Sequence, residues 1–299
     1  MKNSKLESKE VQEKIIRYYK DEYKDYLIYK NLAKIDNKNS KILEKLASQE
    51  LKHHKFWKKF LKEKIEVKLN KFYFYFLLII KLFFGLKFLI KLLEINEKRV
   101  IKEYKNFLKF LKGKDKEKLK KIIKDEEFHE NFLISRLEDP FFKYSGFIVL
   151  GLADAIIEIN GVHAGFLGLT SQTIVAGLAG LIVGFSASIS MAIAAFLQAK
   201  QDEKLNSKVA GILTGVSYML SVIILALPYF LIKDMIIAFS LSVFLSILML
   251  AFFNFYSSIT MDKNFFREFM ESVLLIFIVT ALSFILGEFL KNYFNLETI

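Results

Sequence analysis

The stretch "SQELKHH" (48–54) places Glu50 three residues before His53, and "DEEFHE" (125–130) places Glu126 three residues before His129. The chain has four histidines, so this spacing uses two of them. Residues three apart lie on one side of an α-helix, so each pair can present an oxygen and a nitrogen to the same ion. Two such pairs predict a metal-binding helical bundle, although surface salt bridging is the alternative explanation of the spacing.

The composition divides the 299 residues near Pro140. Residues 1–140 carry 36 Lys and Arg against 22 Asp and Glu, whereas residues 141–299 carry 8 against 10 and are mostly apolar. Regions with such different solvent preferences predict two domains. The absence of cysteine excludes disulfides, thiolate metal sites and iron–sulfur clusters. Nucleic-acid binding is not expected, because the basic residues are spread over all helices of the first half.

In each of four helices predicted within residues 1–140, a glutamate interrupts the apolar stripe. A buried carboxylate is costly unless it is paired or binds a metal. Helices that supply, in order, Glu, Glu-x-x-His, Glu and Glu-x-x-His offer ligands for two metal ions. His54 is expected to be a solvated neighbour of His53. The candidate metal ligands are Glu22, Glu50, His53, Glu94, Glu97, Glu126 and His129.

The order of these ligands resembles the ferritin-like di-iron domain, specifically its rubrerythrin branch, over about residues 8–137. The extra carboxylate in Glu94-x-x-Glu97 is typical of that branch. The resemblance implies a four-helix bundle that holds iron, with Mn or Zn as the alternative metal. The rubredoxin-like module of rubrerythrins needs cysteines, and this chain has none. Its absence argues against peroxidase activity with the usual electron entry.

Five apolar runs follow residue 144, and each can cross a hydrocarbon layer of about 30 Å as a helix. Basic residues precede the first run and recur in alternate loops, for example Lys200, Lys204 and Lys208. The positive-inside rule therefore places the N-terminal domain in the cytoplasm and the C-terminus outside the cell membrane. The predicted spans are about 145–168, 173–199, 209–232, 235–261 and 272–290.

The segment 72–94 is apolar but carries Lys81, Lys87 and Lys91 on one side of a helix. Because lysines are costly at mid-bilayer, a helix near 72–90 is predicted to lie in the membrane interface, with these lysines toward the headgroups. A buried soluble helix is the alternative. A crossover on the surface also keeps the two Glu-x-x-His motifs on the same side of the membrane.

The first span carries Asp154 and Glu158 one turn apart, and ionisable groups inside a membrane mark ion pathways. Spans one and two resemble the vacuolar iron transporter family, because "GLAD" (151–154) matches its "GLxD" motif and "SMA" (190–192) is its second motif. The resemblance implies a pathway through Asp154 and Met191, near the interface of a homodimer. Glu158 is also assigned to this pathway, because it is a second acid within the same span.

The predicted fold is all-α, with a cytoplasmic four-helix ferritin-like bundle over 1–140 and a five-helix transmembrane domain over 141–299. This domain order resembles the erythrin-like vacuolar iron transporter, or membrane-bound ferritin, type. The leading prediction is a divalent-metal exporter, for Fe(II) first and Mn(II) second, whose cytoplasmic domain captures or oxidises iron, with membrane lipid as a further partner. Because a carboxylate in a low-dielectric pathway binds a proton or a divalent cation in competition, proton antiport is the hypothesis for its coupling. The alternative is a membrane-anchored ferroxidase or peroxide-reducing enzyme. No catalytic residue is assigned, and His163 stays open between the pathway and the outer interface.

Overall fold

The computed structural model describes residues 9–61, 63, 65–128, 136–261 and 263–295. Within these ranges the chain forms α-helices and short 3-10 turns and contains no β-strand, so the all-α prediction is confirmed. The chain divides into two units, Met1–Pro140 and Phe141–Ile299. The first helices are α1 (Lys9–Ile35), α2 (Ser40–Lys58), α3 (Lys71–Phe84), α4 (Leu86–Leu93), α5 (Glu97–Phe107) and α6 (Gly113–Phe128).

The described residues of the first unit form two apolar clusters. One contains Ile28 and Leu32 of α1, Leu43 of α2, and residues of α3 and α4. The other contains Tyr18 of α1 and Trp57 of α2, together with residues of α5 and α6. Along both α1 and α2, the glutamates and histidines singled out above lie between the positions that enter the two clusters. The helices therefore hold a polar layer between two apolar ones.

The apolar segment after α2 forms two helices where the sequence predicted a single one. Asn70 caps α3 by accepting hydrogen bonds from two backbone N–H groups of its first turn, at 2.9 and 3.4 Å. The helix ends at Gly85, whose φ of 86° is favourable for glycine. Asp139 lies against Gly85 and accepts a hydrogen bond from the Lys87 backbone N–H at 2.7 Å, which caps the start of α4.

Helix α3 exposes an apolar face, as a segment at a lipid interface would. Lys81 does not lie on that face, because its Nζ atom is 3.1 Å from Asp36 Oδ2, just beyond the end of α1. The ion pair joins Lys81 to the end of α1, and the interfacial placement of the helix, with its lysines toward the headgroups, stays a prediction. The large exposed side chains are those of Phe72, Tyr73, Tyr75, Phe76, Ile79, Leu82 and Phe83.

Over its described residues, 141–261 and 263–295, the second unit contains five helices that are long and apolar enough to cross a membrane. They coincide with the predicted spans, although the first and last extend further. Glycines let the helices approach closely: a Cβ at Gly287 would overlap the Gly165 carbonyl, and one at Gly151 would overlap the Thr214 carbonyl. The helices are α7 (Pro140–Leu169), α8 (Thr173–Ala199), α9 (Ser207–Leu231), α10 (Met235–Met261) and α11 (Phe265–Tyr293).

Polar side chains link these apolar helices. Thr214 of α9 donates a hydrogen bond to the Phe147 carbonyl of α7 at 3.1 Å. The amide of Asn160, on α7, donates to the hydroxyl of Ser246 on α10 at 2.6 Å. Hydrogen bonds of this kind stabilise helix pairs where lipid provides no hydrophobic driving force between them. They fix α7, which carries the intramembrane acids, against α9 and α10.

Candidate metal centre

Four of the predicted ligands meet at one place in the first unit: Glu22, Glu50, His53 and Glu126 each offer an atom within 4.8 Å of the others. The Nδ1 atom of His53 is 2.8 Å from Glu126 Oε1, 3.4 Å from Glu22 Oε2 and 3.6 Å from Glu50 Oε2. All four side chains are buried. Helices α1, α2 and α6 therefore bring carboxylates and an imidazole together away from solvent.

Helix α2 contributes two of the four because of its periodicity. Leu46, Glu50, His53 and Trp57 are all buried and follow one another at spacings of four, three and four residues. Such positions share one face of an α-helix. Leucine and tryptophan anchor that face in the two apolar clusters, so the glutamate and histidine between them are held inward.

The two glutamates of the third ligand-bearing segment border this group. Glu94 lies in the 3-10 turn before α5 and accepts a hydrogen bond from the Tyr29 hydroxyl at 2.8 Å. Glu97 is the first residue of α5; burial raises its pKa, and the charges of Glu94 and Glu126 raise it further. Its Oε2 atom is buried and has no hydrogen-bond partner in the described part of the chain. A buried carboxylate oxygen without a hydrogen-bond partner is stabilised when it binds a cation.

The remaining predicted ligand, His129, lies outside the described residues, which stop at Phe128 on α6. Two acids that the sequence analysis missed do lie beside the group. Asp125 Oδ2 is 3.7 Å from His53 Nε2. Burial raises the pKa of Asp25, and the charge of Glu22 on the same helix raises it further.

The second histidine of the α2 pair packs against residues of α1. His54 is buried, and its Nδ1 atom is 3.0 Å from the Tyr19 carbonyl oxygen. Its ring packs against those of Tyr19 and Tyr23 on α1, at centroid distances of 4.1 and 4.6 Å. The expectation of a solvated neighbour is therefore wrong, because the α1 tyrosines cover this side of α2. Burial also lowers the pKa of His54.

The metal-free group favours protonated forms. Burial raises the pKa of Glu50, and the charges of Glu126 and Glu22 raise it further. Burial acts to lower the pKa of His53, but Glu126 and Glu22 outweigh it and raise this pKa well above 6.5. The Tyr104 hydroxyl donates a hydrogen bond to Glu22 from α5. Protons thus offset a concentration of negative charge that a divalent cation would also offset.

Inward carboxylates and imidazole from the helices of a bundle are the donor set of ferritin-like metal proteins. Residues 16–136 match the family model of rubrerythrin, so the N-terminal part of the chain is a rubrerythrin-type, ferritin-like domain. No curated protein and no solved structure matches the chain. The buried oxygen and nitrogen donors, including the unbonded Glu97 oxygen, fit a metal ion such as iron, manganese or zinc.

The candidate pathway residues lie on α7 and α8. Asp154 and Glu158 are one turn apart on α7, where Asp154 is exposed and Glu158 is half-buried. The Tyr218 hydroxyl of α9 donates a hydrogen bond to the Glu158 carboxylate. Met191 of α8 packs against an apolar cluster that includes Tyr218. Tyr218, which the sequence analysis did not single out, therefore touches one acid directly and shares a cluster with the candidate methionine.

His163 lies further along α7 and is fully buried. Its ring centroid is 4.1 Å from that of Tyr229 on α9. A Cβ at Gly180 of α8 would overlap the imidazole, so this glycine makes room for the ring. The sequence left His163 either in the pathway or at the outer interface. Its burial does not fit a position in contact with water at the outer interface.

Proposed function

We propose that this chain is a divalent-metal transporter of the cell membrane that exports Fe(II), with Mn(II) as the alternative cargo, and that its rubrerythrin-type domain collects the metal in the cytoplasm. The observation that carries the proposal is the combination of a buried Glu/His group in one unit with two acids inside an apolar, span-length helix in the other. An acid in such a helix is costly and marks an ion pathway.

In the proposed centre, the metal ligands are the four clustered residues, Glu94 in the turn before α5, Glu97 at its start, and the second motif histidine. Iron held there would supply redox chemistry toward oxygen or peroxide. The Tyr104 hydroxyl would orient Glu22, and the Tyr29 hydroxyl would orient Glu94, as outer hydrogen-bond partners do in metal sites. The proposed ligands are Glu22, Glu50, His53, Glu94, Glu97, Glu126 and His129.

In the proposed pathway, Asp154, Glu158 and Met191 pass the cation across the membrane. The Tyr218 hydrogen bond to Glu158 supports this role, because it gives that carboxylate a partner within the helices. A carboxylate there binds a proton or a divalent cation in competition, so cation transport coupled to proton antiport follows naturally.

The exposure of Asp154 supports a homodimer. A carboxylate on the outer face of an apolar span is costly in lipid. A second copy of the chain packed over this part of α7 would shield the carboxylate and place the pathway near the subunit interface. The basic residues flanking the spans support a cytoplasmic N-terminal domain and an external C-terminus.

The second candidate function is a membrane-anchored ferroxidase or peroxide-reducing enzyme. The rubrerythrin match and the buried donor group favour it, because both concern the first unit alone. In that case the five apolar helices would be an anchor, and Asp154 would have no role in moving a cation.

The two functions are separated by Fe(II) flux in proteoliposomes, measured with and without an imposed pH gradient. Wild type is compared with Asp154→Asn and with Glu203→Gln, an exposed loop acid that serves as the control. Transport predicts gradient-dependent flux that is lost in Asp154→Asn and retained in Glu203→Gln. Equal flux in wild type and Asp154→Asn would contradict the pathway. No flux from any variant, with iron oxidation intact, would establish the enzyme instead.

A further inference from the structure

A pocket of about 520 Å³ opens between α2 and α6, beside the candidate metal centre. Its floor includes His53, Gln49 and Asp125, and its wall is dominated by basic side chains from both helices. The proposed collection of metal assigns no role to this wall. Its lysines are Lys45, Lys52, Lys55, Lys59, Lys118 and Lys121.

The charge of this pocket is unbalanced. Among the described residues that line it, Asp125 is the only acid, and it lies beside His53. The Nζ atom of Lys59 is 3.8 Å from Oδ1 of Asp115, which does not line the pocket. Lys52 and Lys121 form no ion pair in the described part of the chain. The pKa of Lys118 is lowered by a hydrogen-bond contact with Lys59 and by the positive charge of Lys59. Positive groups that crowd one another in this way would be relieved by an anion.

The floor supplies a neutral polar group for such a ligand. Gln49 is 9% exposed, and its Oε1 atom is buried with no hydrogen-bond partner among the described residues. A buried amide oxygen without a partner is unfavourable, and the two ends of an amide can exchange by a flip that presents the NH₂ group instead. The described part of the chain provides no hydrogen-bond partner for this oxygen.

We propose that this pocket binds a small multivalent oxyanion of the phosphate class, held by the lysines and by the Gln49 amide. Charge-assisted hydrogen bonds from lysine to phosphate are strong and tolerate varied geometry. The same charges repel Fe(II), so the pocket is not the route by which a cation reaches the centre. Free phosphate and the phosphate of a lipid headgroup share this chemistry. The site depends neither on bound metal nor on transport.

The test is saturable binding of inorganic phosphate to the metal-free, full-length protein in a neutral detergent, by calorimetry at constant ionic strength. The pocket variant is Lys52→Gln/Lys121→Gln, and the matched control Lys102→Gln/Lys112→Gln changes two exposed lysines outside the pocket. The pocket variant is expected to lose about tenfold or more in affinity, and the control less than about twofold. Circular dichroism verifies the fold of both.

A second variant, Gln49→Met, keeps the size of the side chain and removes the amide. It is expected to weaken phosphate binding without changing the net charge. Competition by anionic, but not zwitterionic, lipid in nanodiscs would assign the site to a headgroup, and its absence would assign it to soluble phosphate. Equal losses in the pocket and control variants would overturn the proposal, as would no saturable binding to wild type.

Discussion

The Tyr104 hydroxyl of α5 donates a hydrogen bond to Oε1 of Glu22 on α1, and the other oxygen of that carboxylate, Oε2, lies 3.4 Å from His53 Nδ1. One carboxylate thus connects a tyrosine on one helix to an imidazole on another. In metal sites, such outer partners orient the ligand and tune its basicity.

Replacing Tyr104 with phenylalanine removes this hydrogen bond and keeps the ring in its apolar cluster. We expect metal affinity to fall by about tenfold or more, since loss of outer-sphere partners has effects of this size. Titration with Mn(II) or Fe(II) under anaerobic conditions measures the change. Tyr75→Phe, at an exposed position on α3, is the control and should leave the affinity unchanged. Equal metal affinity in both variants would contradict a role of the Tyr104 hydroxyl in metal binding.

The stability of the metal-free protein is expected to fall as the pH rises. The pKa values of Glu50 and His53 are raised above 4.5 and 6.5, respectively, so the folded state binds more protons than the unfolded state. This stabilisation is complete below the ordinary values and is lost as the pH rises through the raised ones. Thermal midpoints measured with a chelator from about pH 5 to about pH 9 test the sign. A midpoint that rises over this range would contradict it.

Adding metal should change that profile. A divalent cation replaces the bound protons, so its affinity is expected to increase with pH and its stabilising effect to be largest where the metal-free protein is weakest. Glu44→Gln, at an exposed position on the same helix as Glu50, serves as the control and should leave both profiles unchanged.

The contact between α7 and α11 depends on glycine. A Cβ at Gly287 would overlap backbone atoms of Gly165, which cannot move as a side-chain tip can. Gly287→Ala is expected to destabilise this helix pair by about 1–3 kcal/mol, the usual cost of overpacking. Gly146→Ala is the control, because nothing lies within 4 Å of that added atom. Thermal unfolding in detergent compares them, and equal midpoints would contradict the close approach.

The exposed face of α3 can be placed relative to lipid because the chain has no cysteine of its own. A spin label at Phe76→Cys should be accessible to oxygen and shielded from a water-soluble relaxant in nanodiscs, since Phe76 lies on the apolar face. A label at Lys24→Cys, an exposed position on α1, provides the contrast. Equal access of the water-soluble reagent to both sites would contradict an interfacial α3.

Helical periodicity made much of this arrangement predictable. The spacing of Glu50 and His53 within a stripe from Leu46 to Trp57 predicted their shared face, and all four are buried on it. The five spans followed from length and apolar content, which act independently of tertiary contacts.

Other features depend on contacts between helices that spacing alone does not reveal. Asp125 neighbours Glu126, and adjacent helical positions project about 100° apart, so its approach to His53 depends on how α6 packs on α2. His54 is buried because α1 tyrosines cover it. Asp25 did carry a signal, because it repeats the three-residue spacing after Glu22.

The break between α3 and α4 also had a signal in the sequence. Gly85 stands within the apolar run, and glycine readily adopts the positive φ seen there. The ion pair between Lys81 and Asp36 had no signal in the sequence, because the two residues are far apart in the chain and meet only when α3 packs beside the end of α1.

The metal centre is tested most directly by the metal content of the purified protein after anaerobic reconstitution with Fe(II). Wild type is compared with Glu50→Gln/His53→Gln and with the exposed control Glu44→Gln, using elemental analysis and circular dichroism. A di-iron centre at this position predicts two tightly bound iron ions per chain in wild type and control, with loss of binding in a folded double variant. Unchanged iron content in the double variant would contradict the metal centre.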